Sequence, residues 1–348
     1  MNSVRIAHLT DIHVARGSEV LKDAVLNLGA GLALPAAVVA AIEAAGAKFE
    51  GRLSKGAVHA LAALGGVLAV PLQGLVDRRL RARLDVVRDL TMLAAGNRTR
   101  AEHRQLLYES LHDHDVDHLL VTGDLTTSAR REEFVQFGEE LHDAGWGGEH
   151  VTVLPGNHDR MGYRDAGKFE EYYPPEGRPI AQELIPGVLL VGLDSNQVPE
   201  ERTKWTDDVW ESFRTNMVGR IDAGVVQKVK DALDGVSGAA VLVGLHHPLT
   251  PATGENATSL SAVRAVDSAP ENADLLEAVL RDHGAFVLAG HHHPKEPFTA
   301  STNGLELRVG RASAFPMKKG KERYLSYRVF EVGPRGTFRE EVVDVPLA

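Results

Sequence analysis

The stretch Val4-Arg5-Ile6-Ala7-His8-Leu9-Thr10-Asp11-Ile12-His13 begins with a short apolar run and ends in two polar side chains. An apolar run of this length, bounded by polar residues, is typical of a buried strand. Asp11 and His13 lie two residues apart, so their side chains share one face if the backbone stays extended. The stretch therefore predicts a strand that delivers two ligand-type side chains at its end.

The same pattern recurs along the chain. Five further apolar runs occupy residues 116–122, 151–154, 188–193, 239–245 and 286–289. Four of them are followed by the clusters Gly123-Asp124, Gly156-Asn157-His158-Asp159, His246-His247 and Gly290-His291-His292-His293, whereas the run at 188–193 ends in Asp194-Ser195. Helical periodicity at 98–112 and 222–233 separates some of these runs, which predicts an α/β fold. In such folds ligands bind outside the carboxyl ends of strands, where these clusters fall.

Carboxylate, amide and imidazole groups at several strand ends are the ligands that a two-metal hydrolase needs at one point. A single histidine is more often a packed or surface residue than a ligand. Five clusters at strand ends favour the metal interpretation, because buried polar groups otherwise need partners. The chain has no cysteine, which excludes disulfides and thiolate metal sites.

Composition sets further limits. With 348 residues and 43% hydrophobic content, the chain can bury a large core in one domain with insertions or in two smaller ones. Its net charge of −10 argues against general binding to nucleic-acid backbones. The first residues lack the basic start and apolar stretch of an export signal, so we expect a cytoplasmic protein.

Residues 18–97 interrupt the alternation of strands and helices, since Asp11 and Asp124 are separated by far more chain than one crossover helix requires. This segment contains apolar runs at 28–42 and 56–76 and a basic stretch at 78–83. Pro71, glycines and polar interruptions favour a helical hairpin over a transmembrane pair. Two alternatives stay open: the hairpin packs on itself or on a second copy, or it forms a cap or membrane-surface element for a lipid-like substrate.

A second excursion, at 160–187, contains Tyr163, Lys168, Phe169, Tyr172 and Tyr173. Aromatic and cationic side chains beside a site can line a substrate pocket. Packing of the excursion itself is the favoured interpretation.

Taken in order, D-x-H, G-D, G-N-H-D, H and G-H-x-H resemble the motifs of the calcineurin-like metallophosphoesterase superfamily. The flanking residues at 8–13, 121–125 and 246–248 most resemble its bacterial cyclic-nucleotide and glycerophosphodiester phosphodiesterase branch. The resemblance covers residues 4 to about 15 and 98 to about 315, so it leaves the segment 18–97 outside. Leu249 stands where that branch often has a second proline.

The resemblance implies a four-layer α/β/β/α sandwich, formed by residues 1–17 and 98–348, with 18–97 as a helical insertion or cap. It implies two transition metals, divalent or mixed-valence, from among Fe, Mn and Zn. One metal would be held by Asp11, His13, Asp124 and His293, and the other by Asp124, Asn157, His246 and His291. His158 would contact the phosphate and stabilise or protonate the leaving oxygen, Asp159 would orient His158, and the family's spacings leave out His247 and His292.

The activity so implied is hydrolysis of phosphoesters, chiefly phosphodiesters, by attack of a metal-bridging hydroxide. A lipid-linked pyrophosphate or phospholipid hydrolase with a hydrophobic cap is the alternative enzyme. A metal-bound scaffold that uses the insertion for protein contacts is the non-enzymatic alternative. The expected partners are a small-molecule or lipid phosphoester, a membrane surface met through 18–97, and a second copy in a homo-oligomer.

Overall fold

Two mixed β-sheets face each other in the computed structural model of the chain. The structure describes residues 3–15, 99–160, 168–174, 180–196, 216–236, 238–251, 269–294, 298–302, 304–334 and 336–347. The hairpin predicted at 18–97 lies outside these residues.

The first sheet contains the three parallel strands whose ends carry the first three clusters. Its strand order is β10-β11-β1-β2-β3, and β12 pairs with β11. β1 and β2 are parallel, as are β2 and β3, whereas β11 runs antiparallel to β1. The bounds are β1 (Val4–Leu9), β2 (His118–Thr122), β3 (Val151–Leu154), β10 (Met317–Lys319), β11 (Glu322–Gly333) and β12 (Thr337–Leu347).

The second sheet carries the two histidine clusters. Its order is β4-β5-β6-β7-β9-β8, and the pairs from β5 to β9 are parallel. The bounds are β4 (Ala181–Ile185), β5 (Val188–Gly192), β6 (Ala240–Gly244), β7 (Phe286–Ala289), β8 (Phe298–Thr302) and β9 (Leu305–Val309).

Helices cover the outer face of each sheet. They are α1 (Ala101–Asp113), α2 (Arg131–Asp143), the short α3 (Lys168–Tyr172), α4 (Ala223–Asp234) and α5 (Ala273–Asp282). Asp222 begins α4 as its N-cap, because its carboxylate accepts a hydrogen bond from the Gly224 amide at 2.7 Å. Among the described residues no helix is long and apolar enough to cross a membrane.

In the described part of the chain, three apolar cores separate the layers. One joins α1 and α2 to the first sheet, through residues such as Leu107, Phe134 and Leu119. A second joins α4 and α5 to the second sheet. The third lies between the sheets, where Ile6 and Leu120 meet Leu242. The order helix, sheet, sheet, helix confirms the predicted four-layer sandwich.

The predicted strands agree with the structure to within about two residues at each end. The periodicity at 98–112 corresponds to α1, and that at 222–233 corresponds to α4. The carboxyl-terminal strands β8 to β12 were not predicted.

The aromatic residues of the excursion at 160–187 pack where the structure describes them. Phe169 is fully buried in the first core, and Tyr172 stacks on Phe134 with ring centroids 5.3 Å apart. Tyr173 contacts Phe137 edge-on. Tyr163 and the side chain of Lys168 lie outside the described part of the chain.

Candidate metal centre

The loops after β1 and β2 run side by side, which brings the first two clusters together. The amide of Asp11 donates to the Gly123 carbonyl at 3.0 Å, and that of His13 donates to the Asp124 carbonyl at 2.9 Å. In the second sheet the Gly290 amide donates to the His246 carbonyl at 3.0 Å. The parallel pairing thus continues past the strand ends and aligns the ligand-type side chains.

One group of side chains matches the first predicted ligand set. Asp11, His13, Asp124 and His293 each offer an atom within 4.8 Å of the others. Nε2 of His293 lies 2.8 Å from Oδ1 of Asp11 and 3.2 Å from Nε2 of His13. The first three side chains are buried, and that of His293 is 30% exposed.

The second predicted set converges beside the first. Oδ1 of Asn157 lies 3.0 Å from Nε2 of His246 and 2.9 Å from Nδ1 of His291. The two histidine nitrogens are themselves 3.3 Å apart. All three residues are buried.

Asp124 lies between the two sets. Its Oδ2 is 3.6 Å from Nε2 of His13, and its Oδ1 is 3.4 Å from Nε2 of His246. Oδ1 also accepts a hydrogen bond from the His158 amide at 2.8 Å. Each carboxylate oxygen therefore faces a different set.

The donor chemistry fits two transition-metal ions. Imidazole nitrogens face each other at 3.2 and 3.3 Å, next to carboxylate and amide oxygens that can only accept or coordinate. Nitrogen and oxygen donors without thiolate suit Fe, Mn or Zn. On these residues the site can hold a cation in each set.

The electrostatics of the site also favour the binding of a cation. Burial raises the pKa of Asp124 well above its ordinary value, and the negative charges of Asp11 and Asp159 raise it further. Burial also acts to raise the pKa of Asp11, but the charge and hydrogen bond of His293 lower it below its usual range. Burial lowers the pKa of His13 and His291, so both rings are neutral, as metal binding requires.

His158 is positioned by its Nδ1 atom. That atom lies 2.8 Å from the Thr127 carbonyl, which can only accept, so Nδ1 carries the proton and donates. Nε2 lies on the side of the site, 4.0 Å from Oδ2 of Asp124. Burial lowers the pKa of His158 to about 4.

Asp159 contacts the backbone on either side of His158. Its carboxylate accepts from the amides of Gly156, Leu125 and Thr126 and from the Thr126 hydroxyl, at 2.8–3.1 Å. Among the described contacts none joins it to the His158 ring. Asp159 therefore holds the two loops that flank His158, including the backbone leading to Thr127.

Two features of the site were not predicted from the sequence. A ring nitrogen of His247 lies within 4.8 Å of those of His246 and His291, and Nδ1 of His247 is 3.0 Å from the Ser195 hydroxyl. Asn157 is held from behind, since Asn216 donates to its carbonyl at 2.9 Å. Nδ2 of Asn157 donates to Sδ of Met217 at 3.4 Å, which leaves Oδ1 facing the histidines. No spacing in the sequence links Asn157 to Asn216 or Met217.

Two glycines let the backbone approach the carboxylates. A Cβ on Gly156 would lie 2.2 Å from Oδ1 of Asp124, and one on Gly290 would lie 1.8 Å from the Thr10 hydroxyl and 2.7 Å from Oδ2 of Asp11. Both positions therefore exclude any side chain.

The model of the calcineurin-like phosphoesterase family matches residues 4–295. No curated protein matches the chain.

The similar solved structures include three that share little sequence identity with this chain. GAP50, the anchor in the inner membrane complex of Plasmodium, is 9% identical, with 99% of this chain and 85% of that chain covered and a TM-score of 0.45. Sulfate thiohydrolase SoxB of Thermus thermophilus is 15% identical, with 69% and 42% covered and a TM-score of 0.37. Purple acid phosphatase PPD1 from yellow lupin, Lupinus luteus, is 12% identical, with 71% and 47% covered and a TM-score of 0.42.

This chain spans less than half the length of the last two structures, and none of the three likenesses shows what this chain acts on. The family match covers most of the chain and includes every cluster described above. The chain therefore belongs to the calcineurin-like phosphoesterase family, whose members hydrolyse phosphoesters with the help of metal ions.

Proposed function

We propose that the chain hydrolyses phosphodiesters at a centre of two metal ions that share Asp124. Asp11, His13 and His293 complete one ligand set, and Asn157, His246 and His291 complete the other. The observation that carries the proposal is the placement of Asp124, whose two oxygens lie 3.6 Å and 3.4 Å from imidazole nitrogens of different sets. Manganese, iron and zinc all suit these donors.

When bound, a pair of such ions lowers the pKa of water and offsets the negative charge of the phosphoryl group. The protein's own part is to fix the ligands. Thr10 donates to Oδ2 of Asp11 at 2.7 Å, and Nδ1 of His246 lies 2.8 Å from the Thr122 carbonyl. These two contacts set the directions of the Asp11 and His246 side chains.

We propose that His158 donates a proton to the oxygen of the leaving alcohol. Its Nδ1 donates to Thr127, so Nε2 is free to meet the ester. An anionic phosphate beside Nε2 favours the protonated ring, which can then donate to the departing alcohol. Asp159 keeps the Thr127 carbonyl in place through Thr126.

The preference for diesters rests on the residues that flank the motifs, His8 to His13, Val121 to Leu125 and His246 to Pro248, which resemble the phosphodiesterase branch. Leu249, which departs from that branch, is 2% exposed and packs in the core under α4 and α5. Its side chain therefore belongs to the core.

Manganese-loaded protein tests the proposal on bis(p-nitrophenyl) phosphate and p-nitrophenyl phosphate. We expect the diester to be cleaved with the higher kcat/KM. A higher value for the monoester would contradict the diester preference, and inactivity on both would contradict the function.

The second candidate is a lipid pyrophosphate or phospholipid hydrolase. The observation that favours it is the pair of apolar runs at 28–42 and 56–76 followed by arginines at 78, 79, 81 and 83. In this proposal the segment meets lipid at the membrane surface and the protein is otherwise cytoplasmic. Cosedimentation with vesicles that contain anionic lipid, and hydrolysis of a lipid pyrophosphate, test it. Neither a scaffold role nor general nucleic-acid binding has support comparable to that of these activities.

A further inference from the structure

We propose that Thr99 is a positioning residue for the metal-ligand loop 11–13, and that Arg104 and Glu140 hold Thr99 in place. The proposal rests on the metal centre proposed above, because it concerns the loop that carries Asp11 and His13.

Thr99 bonds the backbone of this loop at two points. Its hydroxyl lies 2.6 Å from the Ile12 carbonyl, and its amide donates to the His13 carbonyl at 3.2 Å. Ile12 and His13 are fully buried, and Thr99 is 9% exposed. The carbonyl groups of Ile12 and His13 thus both accept direct hydrogen bonds from Thr99.

Arg104 fixes the direction of the Thr99 hydroxyl. Its NH1 group donates to both the carbonyl and the hydroxyl oxygen of Thr99, each at 2.9 Å. A guanidinium has no acceptor, so the Thr99 hydroxyl donates its own proton to the loop, where the Ile12 carbonyl at 2.6 Å is nearer than the His13 carbonyl at 3.3 Å. The bond to the loop is therefore set by Arg104.

Glu140 fixes Arg104 in turn. The two carboxylate oxygens of Glu140 accept from Nε and NH2 of Arg104 at 2.7 and 2.6 Å, which is a bidentate pair between α1 and α2. The Arg104 side chain is only 2% exposed. Since a buried charge is costly unless it is fully paired, this guanidinium has little freedom to leave Thr99.

The loop needs such support because its backbone is strained. Asp11 and His13 have φ values of 55° and 52°, in the left-handed region that costs free energy for residues with a side chain. Loss of the Thr99 bonds lets the loop relax and turns the His13 ring away from its set.

Paired substitutions test the hydroxyl apart from the fold. Thr99→Val keeps the shape and loses the donor, whereas Thr99→Ser keeps the donor. Thr152→Val is the control, since it removes a hydroxyl that contacts His118 at 2.9 Å away from the ligand loops. For each protein we would measure Mn²⁺ binding to the metal-free form, by competition with a chelator, and the thermal unfolding of that form.

We expect Thr99→Val to weaken the binding of one of the two Mn²⁺ ions by about tenfold or more. A loss of this size is typical when a group that orients a metal ligand is removed. Thr99→Ser should bind as the natural chain does. Thr152→Val should lower the unfolding temperature without changing either affinity. Saturating Mn²⁺ should restore the kcat of Thr99→Val, because the bound geometry can still be reached.

Folded Thr99→Val protein that binds both ions normally would overturn the proposal, and so would an equal loss of affinity in Thr99→Ser. If Thr99→Val does not fold, Arg104→Lys tests the proposal instead. A lysine ammonium cannot donate to Thr99 and form a bidentate pair with Glu140 as the planar guanidinium does. Weakened Mn²⁺ binding in that variant supports the proposal, and unchanged binding overturns it. A natural chain that binds fewer than two ions would instead count against the proposed function.

Discussion

At the residue scale, five of the seven predicted ligand positions combine a polar side chain with an uncommon backbone conformation. Eight non-glycine residues in the described part of the chain have left-handed φ values, and five of them are Asp11, His13, Asp124, His291 and His293. Such conformations cost about 1–3 kcal/mol each and persist only where the surroundings enforce them. At these ligands the left-handed backbone turns the side chains away from the strand direction and into the site.

The close approach of backbone and carboxylate predicts a sharp difference between two glycines. Gly156→Ala places a methyl group on Oδ1 of Asp124, whereas Gly147 is extended and a Cβ added there would meet nothing within 4 Å. We expect Gly156→Ala to abolish Mn²⁺-dependent hydrolysis and Gly147→Ala to be nearly silent. Steady-state kinetics on bis(p-nitrophenyl) phosphate compare the two. Comparable activity in both variants would show that the approach at Gly156 is not needed.

His158 should act on turnover and not on metal content. Its Nε2 lies 4.0 Å from Asp124 and its Nδ1 is committed to Thr127, so it belongs to neither ligand set. Loss of a general acid lowers kcat by about 100-fold or more. We expect His158→Ala to show this loss while elemental analysis finds as much metal as in the natural chain. An unchanged rate would remove the assigned role.

At the element scale, parallel strands explain why distant clusters meet. β1, β2 and β3 are neighbours in one sheet, and β6 and β7 are neighbours in the other, so all five clusters follow carboxyl ends of parallel strands. These runs were predictable because a buried parallel strand is almost continuously apolar. β8 to β12 were not, because strands such as Thr337–Leu347 mix charged with apolar residues and take their position from pairing with β11.

His118, at the start of β2, predicts acid sensitivity of the fold. Its burial lowers its pKa to about 4, and the charge of His150 adds to this effect. Between about pH 6.5 and 4, His118 is protonated in the unfolded chain but neutral in the folded chain. Titration of His118 therefore leaves the free energy of unfolding unchanged above about pH 6.5. It lowers that free energy by about 3 kcal/mol as the pH drops to 4.

Urea unfolding of metal-free protein at pH 7.5 and pH 4.5 measures this effect. The difference in unfolding free energy between the two pH values should be smaller in His118→Gln, by about 2–3 kcal/mol. Equal differences in the two proteins would show that His118 titrates normally.

At the scale of the whole molecule, the sequence pattern predicted an α/β fold and the ligand clusters, and the family resemblance implied the four layers. Neither predicted the contacts that hold the clusters in place. The clusters were visible because each is contiguous and follows an apolar run. The bonds of Thr99 to the His13 loop and of Asn216 to Asn157 were not, because each joins residues that lie 59 or more positions apart. Only the fold brings such pairs together.

The prediction that residues 18–97 form a separate insertion concerns the molecule as a whole. The chain leaves the site after Val14 and returns at Thr99, whose amide bonds the His13 carbonyl at 3.2 Å. Because the two ends lie this close, a short Gly-Ser linker can replace the segment. We expect the shortened protein to fold and to cleave bis(p-nitrophenyl) phosphate at a rate close to that of the full chain. Loss of folding would favour a packing role for the segment.

The count of bound metal ions tests the central claim most directly. Equilibrium dialysis of metal-free protein against Mn²⁺, followed by elemental analysis, should find two ions per chain. His13→Ala should retain one ion, and Asp124→Ala should weaken the binding of both ions, because the two carboxylate oxygens of Asp124 face different sets. A natural chain that binds a single ion, or an Asp124→Ala variant that binds two ions as tightly as the natural chain, would contradict the shared centre.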